Sequence, residues 1–218
     1  MKEKPYFYTK YPAMTAEAVQ YKFSLEDYME LEYSSPERHE FVDGKLRTMA
    51  YASENHRHIC SNINRLLGNF YLDRTENVFT NQTLVFTPEC ERYYYPDATI
   101  FPAEIEYRDY RGKMRSALNP LTIIEVLSES TEQIDRGEKW KCYQNIPSLR
   151  QYVLVAQEQM QVEIYTRIGD GNDWKYRSCG AATGTPKIGD CEVPMAEIYR
   201  KVVFAERKTD EAEEVLTT

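Results

Sequence analysis

Two acidic residues of this chain lie where an unpaired carboxylate is costly. Glu125 lies inside the apolar run LTIIEVL at 121–127, and Asp97 follows Tyr95-Pro96 at the start of another apolar segment. An ionised carboxylate in such a place needs a base, hydrogen-bond donors or a metal ion. Glu125 can pair with a base across a sheet, lie at the hydrated end of its strand, or bind a cation. Asp97 can simply accept hydrogen bonds from backbone amides where its strand begins.

The order of the two acids along the chain favours a cation site. Their segments follow one another, and strands that are consecutive in sequence usually lie close together in a sheet. Two carboxylates in one cleft repel each other unless a cation lies between them. Hard cations take oxygen ligands from one or two carboxylates together with substrate phosphate. Asp97 and Glu125 are therefore predicted to converge on one Mg²⁺ or Mn²⁺ ion.

The same acids resemble the nuclease signature of the restriction-endonuclease-like fold, in which PD is followed on a neighbouring strand by (D/E)xK. Pro96-Asp97 matches the first half and EVL at 125–127 the second, with Leu127 at the lysine position. The signature lysine helps to orient the attacking water and to hold the scissile phosphate. Lys139 lies one element later, in the segment DRGEKWKCY, and can reach the same cleft.

A larger ordered set of positions is similar to the Uma-two family of restriction-endonuclease-like proteins. It combines an acid, an Asp-Gly turn, a histidine that opens a long helix, PD, EVLS, a helix with D…K…Y, and the strand QYVLV. Its members are Glu40, Asp43-Gly44, His56, Pro96-Asp97, Glu125 to Ser128, Asp135, Lys139, Tyr143 and residues 151–155. PD and EVLS are weak motifs singly, but the ordered set across residues 20–204 is much more specific.

This resemblance implies a nuclease fold and a role for several polar residues. The metal ion would be held by Asp97, Glu125 and the backbone carbonyl of Val126. Lys139 would replace the lysine absent at position 127, and Glu40 would be a further acid that reaches the cleft from the N-terminal hairpin.

Simpler alternatives exist for the residues around the two acids. Glu40 can simply pair with Arg38 or Lys45 at the surface. His56 and Tyr143 are implied only as accessory residues: the histidine can make a structural hydrogen bond at a helix start, and the tyrosine can belong to the core. Lys139 can be a solvated lysine of its helix.

The segment 106–120 interleaves basic and aromatic residues. Arg108, Arg111, Lys113 and Arg115 lie there among tyrosines. Such a composition suits contacts with phosphates and stacked bases, and it equally suits a solvated loop. The four basic residues are therefore candidate nucleic-acid contacts.

Hydrophobic periodicity predicts the elements that would position these residues. Helical spacing predicts helices over 25–32, 56–73, 132–145 and 194–200, and the sequence EFVDGKLRTM predicts a hairpin over 40–49. Strands are predicted at 77–87, 91–101, 121–127, 150–156, 161–167 and 174–179, with a polar connection at 106–120. This order predicts an α/β fold in which a mixed central sheet is flanked by helices.

Composition limits the class of protein. The 218 residues are 42% hydrophobic and carry a net charge of −8. They suit one domain at 21–204, with an arm at 1–20 and an acidic tail at 205–218. The negative net charge disfavours an extended basic surface that would bind nucleic acid, but it allows a local phosphate-binding surface. No apolar run is long enough to span a membrane and no signal-peptide core begins the chain, so the cytoplasm is expected.

The cysteines suggest neither a disulfide framework nor a zinc site. Their number is odd and no two form CxxC, so all five are predicted to be free, reduced thiols. The residues are Cys60, Cys90, Cys142, Cys179 and Cys191. The segment His56-Arg-His58 does not match HExxH, so a zinc hydrolase is not expected.

Together these features predict a metal-dependent endonuclease that acts on nucleic acid, specifically DNA. One alternative is an inactive nucleic-acid-binding or interaction protein on the same fold, which Leu127 allows. Another is an enzyme that acts on a different phosphate ester, such as a nucleotide. A homodimer is expected, because many nucleases of this fold are dimers and C2 dimers are the commonest assembly.

Overall fold

The computed structural model describes residues 22–49, 51–180 and 184–205. The predicted arm and all but the first residue of the predicted tail lie outside these ranges. The helical elements are α1 (Leu25–Ser34), α2 (Glu54–Tyr71), the π-helical segment π1 (Ile134–Lys139), α3 (Trp140–Tyr143) and α4 (Met195–Ile198). None of these helices is both long enough and apolar enough to cross a lipid bilayer.

Two six-stranded sheets organise the described part of the chain. The strands are β1 (His39–Val42), β2 (Lys45–Thr48), β3 (Asn77–Thr80), β4 (Val85–Thr87), β5 (Arg92–Tyr94), β6 (Ala98–Phe101), β7 (Tyr107–Tyr110), β8 (Met114–Ala117), β9 (Thr122–Leu127), β10 (Gln151–Ala156), β11 (Gln161–Ile168), β12 (Asp173–Gly180), β13 (Lys187–Ile188) and β14 (Cys191–Glu192). The central sheet has the order β12-β11-β10-β9-β6-β3, and the N-terminal sheet has the order β2-β1-β5-β4-β8-β7. The pair β9–β10 is parallel, whereas the other pairs of the central sheet are antiparallel.

Strand β9 is buried on both faces, as its apolar sequence predicts. Ile124 and Val126 point to the side covered by α2 and pack in one core cluster with Ile59. Ile123 and Leu127 point to the other side and pack in a second cluster with residues of α3 and the N-terminal sheet. The prediction of a mixed central sheet flanked by helices is confirmed. Glu125, which alternates with these residues, therefore shares the side of α3.

Helix α2 begins where its sequence supplies a cap. The Ser53 hydroxyl accepts a hydrogen bond from the backbone N–H of His56 at 3.1 Å and donates one to Gln157 at 2.6 Å, at the end of β10. Capping by serine satisfies an amide that lacks a partner within the helix and typically contributes about 1 kcal/mol. The predicted helix is confirmed, and its cap fixes His56 next to the end of the parallel strands.

The predicted N-terminal hairpin is also confirmed. Asp43 and Gly44 have φ values of 53° and 81°, the left-handed conformation that the tight turn between β1 and β2 requires. In the hairpin register Glu40 lies opposite Arg47. The turn thus determines which base faces the predicted catalytic acid.

Two predicted strands are each divided between the two sheets. The segment 77–87 forms β3 in the central sheet and β4 in the N-terminal sheet, and the segment 91–101 forms β5 and β6 in the same way. Pro96 lies between β5 and β6 and has no N–H with which to continue a ladder, so the chain leaves one sheet there and enters the other. Asp97 is consequently placed at the junction between the sheets.

The predicted polar connection at 106–120 is wrong. Residues Tyr107–Tyr110 and Met114–Ala117 pair as an antiparallel hairpin in the N-terminal sheet. Arg111 and Gly112 occupy its turn with φ values of 51° and 69°. This hairpin lies at the edge of the sheet and is mostly exposed. Its sequence therefore lacks the alternation of apolar and polar residues that predicts a strand.

The prediction of five free thiols is wrong for one pair. Cys90, in the turn after β4, forms a disulfide with Cys142 of α3. Cys60, Cys179 and Cys191 are free. The bonded cysteines are 52 residues apart, and only the packing of α3 against the N-terminal sheet brings them together. Their spacing in the sequence therefore carries no signal of the bond.

The predicted helix over 132–145 begins with a π-helical turn. In π1 the side chains of Asp135 and Lys139 are both buried, with the Lys139 ammonium 3.1 Å from the Asp135 carboxylate. π-Helical turns are rare and occur frequently at functional sites.

Candidate active site

An open cleft of about 760 Å³ lies where the N-terminal hairpin, the start of α2, the end of β9 and π1 meet. Its lining includes Glu40, His56, Asp97, Glu125, Asp135 and Lys139. The four residues that the sequence marks as catalytic thus share one cleft, although they come from β1, the β5–β6 junction, β9 and π1.

Lys139 is the centre of the cluster at the floor of the cleft. Its Nζ lies 3.0 Å from Glu40 Oε1, 3.1 Å from Glu125 Oε1 and 3.1 Å from Asp135 Oδ1. Its side chain is only 8% exposed, so the alternative of a solvated helix lysine is excluded. Burial lowers the pKa of Lys139, but the neighbouring carboxylates raise it more, and the net shift is upward. The ammonium is therefore charged.

Glu125 has both a basic partner and a neutral donor. The Lys139 ammonium donates to Glu125 Oε1 at 3.1 Å, and the Tyr143 hydroxyl donates to the same oxygen at 3.2 Å. Burial nevertheless raises the pKa of Glu125 well above its usual range, because the attraction of Lys139 is offset by the nearby acids. Tyr143 thus belongs to the core and also touches the site.

Asp97 is fixed by the backbone of the neighbouring strand. Its Oδ2 accepts a hydrogen bond from the N–H of Val126 at 2.7 Å and lies 3.3 Å from His56 Nε2. The register that pairs Ala98 with Ile124 places Asp97 opposite Glu125 when it is continued by one residue. The structure therefore brings both acids to the same end of the sheet. A shared metal ion, and the Val126 carbonyl as its ligand, stay predictions.

Glu40 is held by bases other than its close sequence neighbours. It is 4% exposed, contacts Lys139, and accepts a hydrogen bond from Arg47 at 3.2 Å. Arg47 also donates to both carboxylate oxygens of Glu138, at 3.2 and 3.3 Å. The simple surface pair is thus excluded, and Arg47 joins the hairpin to π1.

His56 faces the cleft between α2 and the strands. Burial lowers the pKa of His56, whereas hydrogen bonding to Asp97 and to the backbone of Val126 raises it, and the net shift is upward. Its Nδ1 lies 3.4 Å from Cys60 Sγ, one turn further along α2. His56, Cys60 and Asp97 each offer a ligand atom within 4.8 Å of the others.

Three further residues of the site received no role from the sequence. Asp135 belongs to the D…K…Y set, but its place among the acids depends on the π-helical turn. Burial raises the pKa of Asp135, and its Oδ1 is the oxygen that lies 3.1 Å from the Lys139 ammonium. Arg47 and Cys60 carry no sequence signal, since a basic residue in a hairpin and a cysteine in an amphipathic helix are both ordinary.

The four basic residues of the β7–β8 hairpin contact acids and rings of the same molecule. Arg111 pairs with Glu26 at 2.7 Å, Lys113 pairs with Glu30 at 3.2 Å, Arg115 lies 3.5 Å from Asp109, and Arg108 lies over the ring of Phe86. None of these four residues lines the cleft. Their role in nucleic-acid binding stays a prediction.

The fold and the site together define a class of protein. A mixed sheet presents an aspartate after a strand break and a glutamate in the neighbouring strand, as in a restriction-endonuclease-like domain. The lysine comes from the following helix, since Leu127 occupies the signature position.

Comparison with known proteins identifies the family. The sequence model of the Uma2 family, described as "Putative restriction endonuclease", matches residues 25–190. The chain therefore belongs to this family, and the resemblance drawn from its ordered motifs is confirmed.

Two relatives from Synechocystis sp. (strain ATCC 27184 / PCC 6803 / Kazusa) are uncharacterized proteins. The protein sll1609 is 33% identical over 144 residues, which cover 66% of this chain and 80% of that protein. The protein slr1290 is 32% identical over 154 residues, which cover 70% of this chain and 78% of that protein.

A solved structure with the same fold gives a further comparison. It is described as a putative nuclease belonging to DUF820 from Anabaena variabilis, and it matches with a TM-score of 0.60 over 81% of this chain and 97% of its own. At 14% sequence identity this likeness concerns the fold alone. It confirms the predicted restriction-endonuclease-like architecture.

Proposed function

We propose that this protein is a divalent-metal-dependent endonuclease that hydrolyses phosphodiester bonds of DNA. One observation carries the proposal: Lys139 lies among three buried carboxylates at the floor of an open cleft that Asp97 also lines. Such a group of buried acids around one base is costly to fold and is characteristic of functional sites.

The residues present fit a hard divalent cation. Glu40, Asp97, Glu125 and Asp135 bring four carboxylates to one site, where the nearby bases are Lys139 and Arg47, and Arg47 also pairs with Glu138. Oxygen donors of this kind suit Mg²⁺ or Mn²⁺. Asp97, Glu125 and the Val126 carbonyl would hold the ion, which would supply Lewis-acid polarisation of a phosphate oxygen and a lower pKa for water.

The protein's own groups would position the reactants. Lys139 would donate an N–H to the attacking water or to the charge that develops on the phosphate. Glu40 and Asp135 would hold its ammonium in place, and the Tyr143 hydroxyl would fix Glu125. The Val126 N–H and the His56 imidazole would fix the Asp97 carboxylate. In-line displacement would then break the phosphodiester bond.

The decisive experiment is a Mn²⁺-supplemented cleavage assay on plasmid and single-stranded DNA, with the wild type and Asp97→Ala. The matched control is Asp170→Ala, because Asp170 has a fully exposed carboxylate in a hairpin turn. We expect the wild type and the control to cut, and Asp97→Ala to lose activity by at least about 100-fold, since a metal ligand contributes several kcal/mol to such reactions.

A second function is favoured by Leu127, which stands at the signature lysine position. A protein that binds nucleic acid without cutting it would bind DNA but give no product with Mg²⁺ or Mn²⁺. That result in the wild type would replace the proposed activity with the binding function.

The assembly and the location are further parts of the proposal. We expect one domain at 21–204 that forms a homodimer and acts in the cytoplasm. Sedimentation of the full chain tests the dimer. Fractionation of intact cells tests the location, and recovery in an oxidising compartment would overturn the cytoplasmic assignment. The Cys90–Cys142 disulfide makes this test necessary, because structural disulfides are rare in the reducing cytosol.

A further inference from the structure

A second cluster of metal-ligand atoms lies beside the acidic floor of the cleft, on the α2 side. His56 and Cys60 are four residues apart on α2, so their side chains lie on the same face of the helix. Cys60 Sγ lies 3.4 Å from His56 Nδ1, and His56 Nε2 lies 3.3 Å from Asp97 Oδ2. One nitrogen, one sulfur and one carboxylate oxygen of these residues are mutually within 4.8 Å.

The proposed hydrolysis leaves Cys60 unexplained. The thiol is free, and it is not one of the residues that line the cleft. Its Sγ, an imidazole nitrogen and a carboxylate oxygen lie within 4.8 Å of one another. Thiolates are metal ligands, so a cation is the partner that would give this thiol a role.

The donor set differs in chemistry from the carboxylates around Lys139. A thiolate and an imidazole select softer transition ions such as Zn²⁺ or Co²⁺, whereas Mg²⁺ requires oxygen ligands. Around Zn²⁺, bonds of about 2.0–2.3 Å place tetrahedral ligand atoms roughly 3.3–3.7 Å apart. The two short separations end on different ring nitrogens, but one nitrogen, the sulfur and the oxygen all lie within 4.8 Å of one another. Side-chain rotations that shorten the longest of these separations would bring all three atoms onto one ion.

We propose that His56, Cys60 and Asp97 form a site for a thiophilic divalent transition metal ion, with Asp97 shared between this site and the acids around Lys139. The side chains of His56 and Asp97 are 16% and 12% exposed and line the cleft, which gives an ion a route of entry. Three protein ligands leave a fourth position open for water or substrate. The absence of CxxC and HExxH does not exclude such a site, because two ligands lie one helical turn apart and the third comes from the sheet.

Cobalt titration of the metal-free, full-length protein tests this proposal. Co²⁺ bound to a thiolate gives a sulfur-to-metal charge-transfer absorption that oxygen and nitrogen ligands do not give. We expect the wild type to develop this absorption to a stoichiometry of one ion per chain. Cys60→Ala should abolish it, and His56→Gln should weaken Co²⁺ binding by at least about tenfold through the loss of one ligand.

Matched variants separate this site from other thiols and from the proposed nuclease site. Cys179→Ala and Cys191→Ala remove free, buried thiols outside the cluster and should leave the absorption unchanged. Glu125→Gln alters the hard-ion site but keeps all three proposed ligands of this one, so the absorption should still develop. Because the readout is absorption, a protein that never cuts DNA can still pass this test.

The proposal is overturned if the wild type gives no charge-transfer absorption, if the absorption persists in Cys60→Ala, or if either control cysteine is needed for it. Circular dichroism establishes that each variant is folded. If Cys60→Ala does not fold, His56→Gln decides, since His56 lies at the capped start of α2 and faces the cleft. Unchanged Co²⁺ affinity in that variant also overturns the proposal.

Discussion

Single side chains determine the charge balance of the site. The buried Lys139 ammonium contacts three carboxylates, those of Glu40, Glu125 and Asp135. Its positive charge reduces the repulsion among them and allows them to lie together. The same arrangement leaves excess negative charge that a divalent cation would reduce. Lys139 therefore has both a structural and a proposed catalytic role, and experiments can separate the two.

Lys139→Met should destabilise the metal-free protein by about 3–5 kcal/mol, because buried carboxylates lose their partner. Mn²⁺ should restore part of the free energy of unfolding but not the cleavage activity, since the ion replaces the charge and not the N–H donor. Denaturant unfolding with chelator and with Mn²⁺ measures this. Lys141→Met, an exposed change on the same helix, is the control. Full cleavage by Lys139→Met would exclude the catalytic role.

Glu40→Gln should weaken Mn²⁺ affinity or cleavage by about 10–100-fold, the effect expected when a group that supports metal ligands is altered. The amide keeps the volume and can still accept from Arg47, so the domain should remain folded. Calorimetric titration with Mn²⁺ and a cleavage assay measure the two effects. Glu37→Gln changes an exposed acid of the same region and serves as control. If affinity and cleavage both match those of the control, Glu40 has only a structural role.

The helical element that carries Asp135 and Lys139 is fixed to both sheets. The disulfide joins α3 to the N-terminal sheet, and Arg136 of π1 pairs with Glu163 of β11 through bonds of 2.6 and 2.8 Å. The indole of Trp140 stacks on the ring of Tyr152 at 5.5 Å. Each tie limits the motion of the lysine relative to the acids.

Reduction of the disulfide should lower the free energy of unfolding. A closed loop of 52 residues stabilises by about 4 kcal/mol in the chain-entropy treatment. Denaturant unfolding with and without a dithiol reductant measures the change. Cys90→Ser should be as unstable as the reduced wild type and insensitive to reductant, whereas Cys179→Ala should keep the response. If the reductant leaves the free energy of unfolding of the wild type unchanged, the disulfide does not form.

The Arg136–Glu163 pair should make stability depend on pH. Hydrogen bonds from Arg136 lower the pKa of Glu163. A depressed carboxyl pKa adds stability above the unfolded value, near 4.3, and this stability is lost as pH falls through the folded value. Arg136→Gln should cost about 1 kcal/mol at pH 7, and the difference from the wild type should shrink below about pH 4. A pH-independent difference would assign the effect to packing.

The control for that pair is Arg150→Gln. Arg150 lies 3.6 Å from the exposed Asp170, where solvent screens the interaction. Arg150→Gln should change the free energy of unfolding little at every pH. A pH dependence seen only with Arg136→Gln can therefore be assigned to the buried carboxylate of Glu163.

The whole molecule carries a net charge of −8, and the acids at the cleft floor repel a polyanion. DNA should therefore bind weakly in chelator and at least about tenfold more tightly with Ca²⁺, which occupies carboxylate sites. Fluorescence anisotropy with a labelled duplex measures this. Glu125→Gln should reduce the response to Ca²⁺. Equal affinity in chelator and Ca²⁺ would indicate a binding surface outside the cleft.

Local patterns in the sequence were sufficient for most of the elements and for four members of the site. Helix α2, the hairpin at Asp43-Gly44 and strand β9 follow from periodicity and turn chemistry, which depend on near neighbours. Glu125 is conspicuous because a carboxylate inside an apolar strand demands a partner. The ordered motifs added the family and, with it, the expected neighbours of Glu125.

The remaining features depend on contacts between segments that are far apart in the chain. The division of two predicted strands between sheets, the Cys90–Cys142 bond and the contact of Arg47 with Glu138 leave no local period or spacing to detect. Asp135 reaches the acids only because a π-helical turn orients it, and Cys60 meets Asp97 only because α2 packs on the sheet. Packing geometry, which sums many weak contacts over the whole domain, sets these positions.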